Sequence, residues 1–131
     1  MEVFASILVR DVGKKLAGGL DLSHYGVKSA SDGGSYEYQY HKLTGKKKLR
    51  EDMKADHLFF DHRNNLRHVD LRYAHGSSMK EFFQKWLDEF PDPYPQRYRK
   101  SIPFHWVTTH GILLMTLTDG EVSFPESATH L

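Results

Sequence analysis

The sequence predicts an α+β fold: a single domain, residues 1–131, in which an antiparallel sheet of about six strands carries one main helix, 78–90, packed across it. Three observations point there. Short runs of alternating apolar and polar residues recur along the chain, each bounded by Asn, Asp or Gly. One segment alone, Met79 to Phe90, repeats its apolar side chains at helical spacing. A chain of 131 residues buries one hydrophobic core without needing disulfide or metal staples.

Val3 to Val9 is a mixed apolar run that suits an initial strand. Residues 11–34 follow as a Gly-rich loop region, with Ala17-Gly-Gly-Leu20 and Ser29 to Gly34 dense in turn formers. Ser35 to His41 alternates: Tyr36, Tyr38 and Tyr40 share one face, and Glu37, Gln39 and His41 the other. Three tyrosines on one face read as half-buried packing, with a stacking platform as the alternative. Residues 47–56 fit either a short helix or a strand, because Leu49 and Met53 are four apart among charged neighbours.

His57 to His75 reads as a β-hairpin. Asn64-Asn65 tolerates positive φ and suits a two-residue turn, and His62 to Asn65 suits a four-residue turn. Either length pairs odd positions of the first strand with even positions of the second, so both sort the side chains identically. Leu58, Phe60, Arg67, Val69, Leu71 and Tyr73 form the face expected to be buried. His57, Phe59, Asp61, Leu66, His68, Asp70 and Arg72 form the other, where Asp70 can orient an imidazole and raise its basicity. A solvated face of weak ion pairs is the competing reading.

After the hairpin, Ser78 and Glu81 make a capping box, and Met79, Phe82, Phe83, Trp86, Leu87 and Phe90 form a broad apolar stripe expected to pack on the sheet. Pro91, Pro93 and Pro95 end that helix, so 91–103 reads as a Pro-rich connector able to act as a hinge. Phe104–Thr108, Ile112–Thr118 and Glu121–Phe124 read as three strands joined by turns at His110-Gly111 and Asp119-Gly120. The unbroken apolar run Ile112 to Met115 predicts a central strand covered on both sides.

Composition narrows the function classes. The chain has no cysteine, which excludes disulfides and thiolate metal sites and is compatible with a reducing compartment. No apolar run reaches the roughly 20 residues that span a bilayer, and no signal-peptide layout opens the sequence, so a soluble, cytoplasmic protein without a membrane partner is expected. Eighteen Lys and Arg against seventeen Asp and Glu leave a net charge of +1, so global charge says nothing of nucleic acid. Local charge says more: Lys42, Lys46, Lys47, Lys48 and Arg50 cluster around Gly45, and Arg97, Arg99 and Lys100 stand beside Tyr94 and Tyr98. Basic side chains interleaved with tyrosines suit a phosphate backbone and stacked bases. The nine histidines show no His-Glu-x-x-His and no helical pair, leaving only a dispersed metal site on His57, His68 and Asp70. Gly-x-Ser-x-Gly and a phosphate-cradling loop are also missing, and no cofactor is expected.

The stretches His41-Lys-Leu-Thr-Gly45, Asp56-His-Leu-Phe-Phe60 and Arg67-His-Val-Asp-Leu-Arg-Tyr-Ala-His75 resemble the closing strands of RelE and HigB-type toxin endoribonucleases. The resemblance covers residues 41–75 and implies a compact sheet-and-helix fold that cuts RNA, often on the ribosome, by activating a ribose 2′-hydroxyl. It implies His68 and His75 as acid and base, with Arg72, Lys48 and Arg50 on phosphate. The chain departs from that family in its N-terminal region and in the helix and strands that follow residue 75. A second stretch, the helix after Ser77 with Trp106 to Phe124, is similar to the linker helix and opening strands of polo-box modules, which bind phosphopeptides or partner proteins.

The expected function is therefore RNA binding and cleavage, with RNA or a ribosome as partner. His57, His68, Asp70, Arg72 and His75 are the candidate catalytic residues. Lys46, Lys47, Lys48, Arg50, Arg97, Arg99 and Lys100 are the candidate nucleic-acid contacts. The alternative is a non-enzymatic inhibitor or adaptor that docks a protein partner through its sheet, its tyrosine face and its basic loops.

Overall fold

A computed structural model describes residues 25–93 and 96–125. The strand expected at Val3 to Val9 and the start of the Gly-rich region lie outside the described residues. In chain order the elements are β1 (Tyr25–Ser31), β2 (Tyr36–His41), α1 (Gly45–Asp52), β3 (Asp56–Arg63) and β4 (His68–His75). A 3₁₀ turn (Gly76–Met79) runs into α2 (Lys80–Asp88), followed by β5 (Arg97–Ile102), α3 (Phe104–His110), β6 (Ile112–Thr118) and β7 (Glu121–Ser123).

The architecture is α+β, but the described strands form two sheets where one of about six strands was expected. The larger has the order β1-β3-β4-β6-β7, with β1 parallel to β3 and the other pairs antiparallel. The smaller is an antiparallel ribbon of β2 and β5. β1 lies inside the expected Gly-rich loop and β5 inside the expected Pro-rich connector. Both are rich in polar and small residues and become strands through long-range pairing, which no local pattern announces.

Helices differ as well. The described residues hold three α-helices, and one of them, α3, stands where a strand was expected at Phe104–Thr108. Pro103 precedes its first residue with φ −65° and ψ 141°, leaving the chain poised to turn into a helix. Thr108 and Thr109, whose branched side chains favour strands, donate their hydroxyls back to the His105 carbonyl and are accommodated in the helix. The Ser78–Glu81 capping box does not form. His75 caps the 3₁₀ turn instead, accepting from the Ser77 amide at 3.0 Å through Nδ1.

The hairpin keeps the expected strands and the expected side-chain parity, with a four-residue turn that lies two positions beyond the expected His62 to Asn65. Arg63 pairs with His68, leaving Asn64 to Arg67 as the loop, with Asn64, Asn65 and Leu66 at positive φ. Leu66 accordingly leaves the polar face and packs with the Leu58 cluster, while Arg67 leaves the apolar face for solvent. β3 is buried on both sides. Leu58, Phe60, Val69, Leu71 and Met115 form one cluster. On the other side Phe59 and Ala74 meet Tyr36, Tyr38, Tyr40, Leu49, Phe83, Trp86 and Ile102. The face of His57, Asp61 and Asp70 is thus not a solvated outer face, because the ribbon and α2 cover it. β6 departs in the opposite sense: Met115 is buried, yet Ile112 is exposed, since β6 has only the short β7 beyond it.

Candidate active site and basic face

The inner face of the β3-β4 hairpin carries ionisable groups at both ends. At the end near α1 and α2, His57 is fully buried and every ring nitrogen has a partner. Its Nε2 lies 2.8 Å from the Asp52 carbonyl oxygen, which can only accept, so Nε2 carries the proton. Nδ1 then accepts from the Tyr38 hydroxyl at 3.1 Å. Burial pushes the His57 pKa below its ordinary 6.5, and the Asp52 carbonyl only partly opposes this, so the ring is neutral at pH 7. Gly26 of β1 makes room, since a Cβ there would stand 2.9 Å from Nδ1. Around the ring, Tyr40 donates to Asp52 Oδ2 at 2.9 Å and Lys48 pairs with Oδ1 at 3.3 Å. His57 is a satisfied core residue.

At the turn end the arrangement is the reverse. Asp61 and Asp70 are directly opposed across the two strands, and both carboxylates are buried. Asp70 gathers its neighbours: Thr116 donates to Oδ1 at 2.7 Å, Arg72 donates to Oδ2 at 3.4 Å, and Arg63 Nη2 approaches Oδ2 at 3.6 Å. His68 Nε2 lies 3.2 Å from Oδ1, within ion-pair reach but off the line of a hydrogen bond. Asp61 has less. Arg63 Nε stands 3.6 Å from its Oδ2 and the Gly33 amide lies alongside, yet neither oxygen completes a well-formed hydrogen bond. Burial raises the Asp61 pKa above its ordinary 3.8; Arg63 opposes the shift and Asp70 adds to it. The Tyr36 hydroxyl and Arg72 Nη1 are also buried without partners, and Asp61, Arg72 and Asp70 are the charges that act on that hydroxyl. Unsatisfied buried polar groups cost about 1–3 kcal/mol each, and a catalytic or ligand-binding role is one reason for a fold to keep them.

This end opens outward. Asp32, Arg63, Asn64 and His68 line a cavity of about 400 Å³. Arg63 and His68 are cross-strand partners, so the cation and the imidazole point to one side of the hairpin and flank the cavity together. Arg63, Asp32, Asn64 and Thr116 are site residues that sequence reading missed; Arg63 becomes legible only once the position of the turn is known.

The predicted catalytic set is therefore divided. His68, Asp70 and Arg72 come together. His57 lies roughly 20 Å from His68, six residues along β3 at about 3.3 Å each, and a metal site shared by His57, His68 and Asp70 does not form. His75, at the far end of β4, is roughly 23 Å from His68 by the same measure, and its nearest acid is Asp56 at 3.7 Å. Among the described residues no three His, Asp or Glu side chains assemble as metal ligands.

The basic residues, separate in sequence, are joined by the ribbon. β5 places Arg97 opposite His41 and Arg99 opposite Gln39, all on the outer face. His41 and Gln39 also line a cavity of about 370 Å³ with Lys47 and Lys48 of α1. Lys46 and Arg50 are exposed on the same helix. Lys100 falls on the inner parity of β5, where its ammonium lies 5.2 Å over the Tyr98 ring. The tyrosine platform does not form: Tyr36, Tyr38, Tyr40 and Tyr98 are all buried, so neither bases nor a protein partner reach that face.

No protein-family profile matches the chain, and no curated protein matches it significantly. No helix among the described residues is long and apolar enough to cross a membrane.

Proposed function

We propose that this is an RNA-binding protein that holds the phosphate backbone on the outer face of the β2-β5 ribbon and α1. The observation that carries the reading is the ribbon register, which sets Arg97 and Arg99 beside the strand whose His41 and Gln39 share a cavity with Lys47 and Lys48. Glu37 and Glu51 are the acids on that surface, so positive charge prevails locally although the whole chain is nearly neutral. Phosphate contacts of this kind release counterions, and affinity then falls with salt by about 0.7 log units per contact per tenfold increase for single strands. Binding of a labelled RNA measured from 50 to 200 mM salt tests it: steep salt dependence that flattens in Arg97→Ala and Arg99→Ala supports the reading, and no binding at 50 mM refutes it.

The turn-end cavity supports cleavage as an extension of the same function. His68, with Asp70 behind Nε2, turns Nδ1 toward the Thr118 hydroxyl at 3.4 Å, and a ribose 2′-hydroxyl that displaces Thr118 there gives its proton to Nδ1. The resulting oxyanion attacks the adjacent phosphorus, the bond to the 5′-oxygen breaks as that oxygen takes a proton from solvent water, and a 2′,3′-cyclic phosphate remains, with the 2′-hydroxyl proton held on His68. Arg63 flanks the same cavity and supplies positive charge where the phosphorane gathers negative charge. This is the chemistry that the toxin resemblance implies, assigned to His68, Asp70 and Arg63. Incubation with total RNA and with translating ribosomes, followed by mapping of 5′ ends, tests it; cuts that persist in a His68→Ala, Asp70→Ala variant would refute it.

A further inference from the structure

Lys47 borders a second cavity, of about 300 Å³, whose wall combines Leu43, Phe90 and Pro91 with Lys46 and Asp92. Lys47 lines both cavities, so the two lie on either side of its side chain. A surface that only held phosphates would need no apolar wall. Here Leu43 is 93% exposed, more than any other exposed large apolar side chain among the described residues. The Phe90 ring meets Tyr98 nearly edge-on at 4.9 Å between centroids, and the Lys46 ammonium stands 5.5 Å over the Phe90 ring.

We infer that this second cavity is a nucleobase pocket within the RNA-binding face, holding an unpaired base against Leu43, Phe90 and Pro91, with Lys46 and Lys47 on flanking phosphates and Asp92 on the base edge. The inference rests on the RNA-binding reading. A base has a flat apolar surface that stacks on an aromatic ring whatever its identity. Lys46, already over the ring, is displaced by the incoming base to the phosphate beside it. Asp92 accepts from an exocyclic amine, as a carboxylate does from cytosine N4. Uracil has no such amine and turns carbonyl oxygens toward the carboxylate. The ligand class is thus single-stranded RNA carrying an amine-bearing base, because a paired base cannot enter without leaving its stack.

The test is fluorescence anisotropy of the whole protein with labelled oligocytidine, oligouridine and a blunt RNA duplex, repeated for Leu43→Ala and Asp92→Asn, both changes at exposed positions. Oligocytidine should bind at least about fivefold more tightly than oligouridine and the duplex. Asp92→Asn should close the gap between the two oligomers, and Leu43→Ala should weaken both. Equal binding of all three RNAs, unchanged in both variants, would overturn the pocket and leave the RNA-binding face standing. No binding of any RNA at 50 mM salt would remove the RNA-binding reading itself. Binding to phosphatidylserine vesicles without RNA binding would assign the exposed leucine and lysines to a lipid surface and overturn both.

Discussion

His57 and His68 occupy the same face of one β-hairpin, yet they are in opposite circumstances. His57 is enclosed by Tyr38, Phe59 and Phe83, has a fixed tautomer and leaves no partner unmet. His68 borders an open cavity, beside an aspartate ringed by two arginines and opposite a second aspartate whose oxygens lack good hydrogen bonds. Alternating ionisable residues along a strand therefore do not mark a site by themselves. What distinguishes the two ends is whether each polar group is satisfied and whether a ligand can reach it.

The comparison is most easily broken by deletion. His57→Ala should destabilise the protein by about 3–5 kcal/mol in urea unfolding, since it removes a packed ring and orphans the buried Tyr38 hydroxyl, while the Asp52 carbonyl keeps the Ala55 amide. His68→Ala should cost under about 1 kcal/mol, as expected of a substitution that opens no core cavity. Equal costs would erase the distinction. Gly26→Ala comes next, at about 1–3 kcal/mol, because the new methyl group meets the His57 ring.

Titration sharpens the contrast. His57 binds its proton less readily folded than unfolded, so it contributes stability above pH 6.5 that is lost as pH falls toward its lowered folded value. Asp61 has the opposite sign: its contribution is complete below pH 3.8 and is lost as pH rises through its raised folded value. Asp61→Asn should therefore raise the melting temperature at pH 7 and leave it little changed at pH 3.5, as scanning calorimetry can show. The smallest effects belong to the basic face. Arg97→Ala and Arg99→Ala should each lower the salt slope of RNA binding by about 0.7 with no change in melting temperature.

Much of this was legible locally. Alternation gave the two hairpin strands, the parity of their faces and β2, and helical spacing gave α2. Asp119-Gly120 marked the β6-β7 turn, where both residues take positive φ. What escaped depends on distant partners. β1 is a strand because β3 pairs with it in parallel, and β5 because β2 does. The face of Asp61 and Asp70 looked solvated because its cover comes from elements remote in sequence. Arg63 was hidden by the turn: a two-residue loop would set it opposite Leu66, whereas the observed loop sets it opposite His68. Lys100 was grouped with Arg97 and Arg99 by proximity alone, and strand parity separates them.

The most direct test of the distinction between the two ends is side-chain NMR of the histidine rings, recorded with and without a non-cleavable RNA oligonucleotide in which the attacking 2′-hydroxyls are removed. The account predicts that His57 remains neutral with its proton on Nε2 at pH 7 and that RNA leaves its signals unmoved, while the His68 signals shift on binding. RNA-dependent shifts at His57 with none at His68 would contradict it.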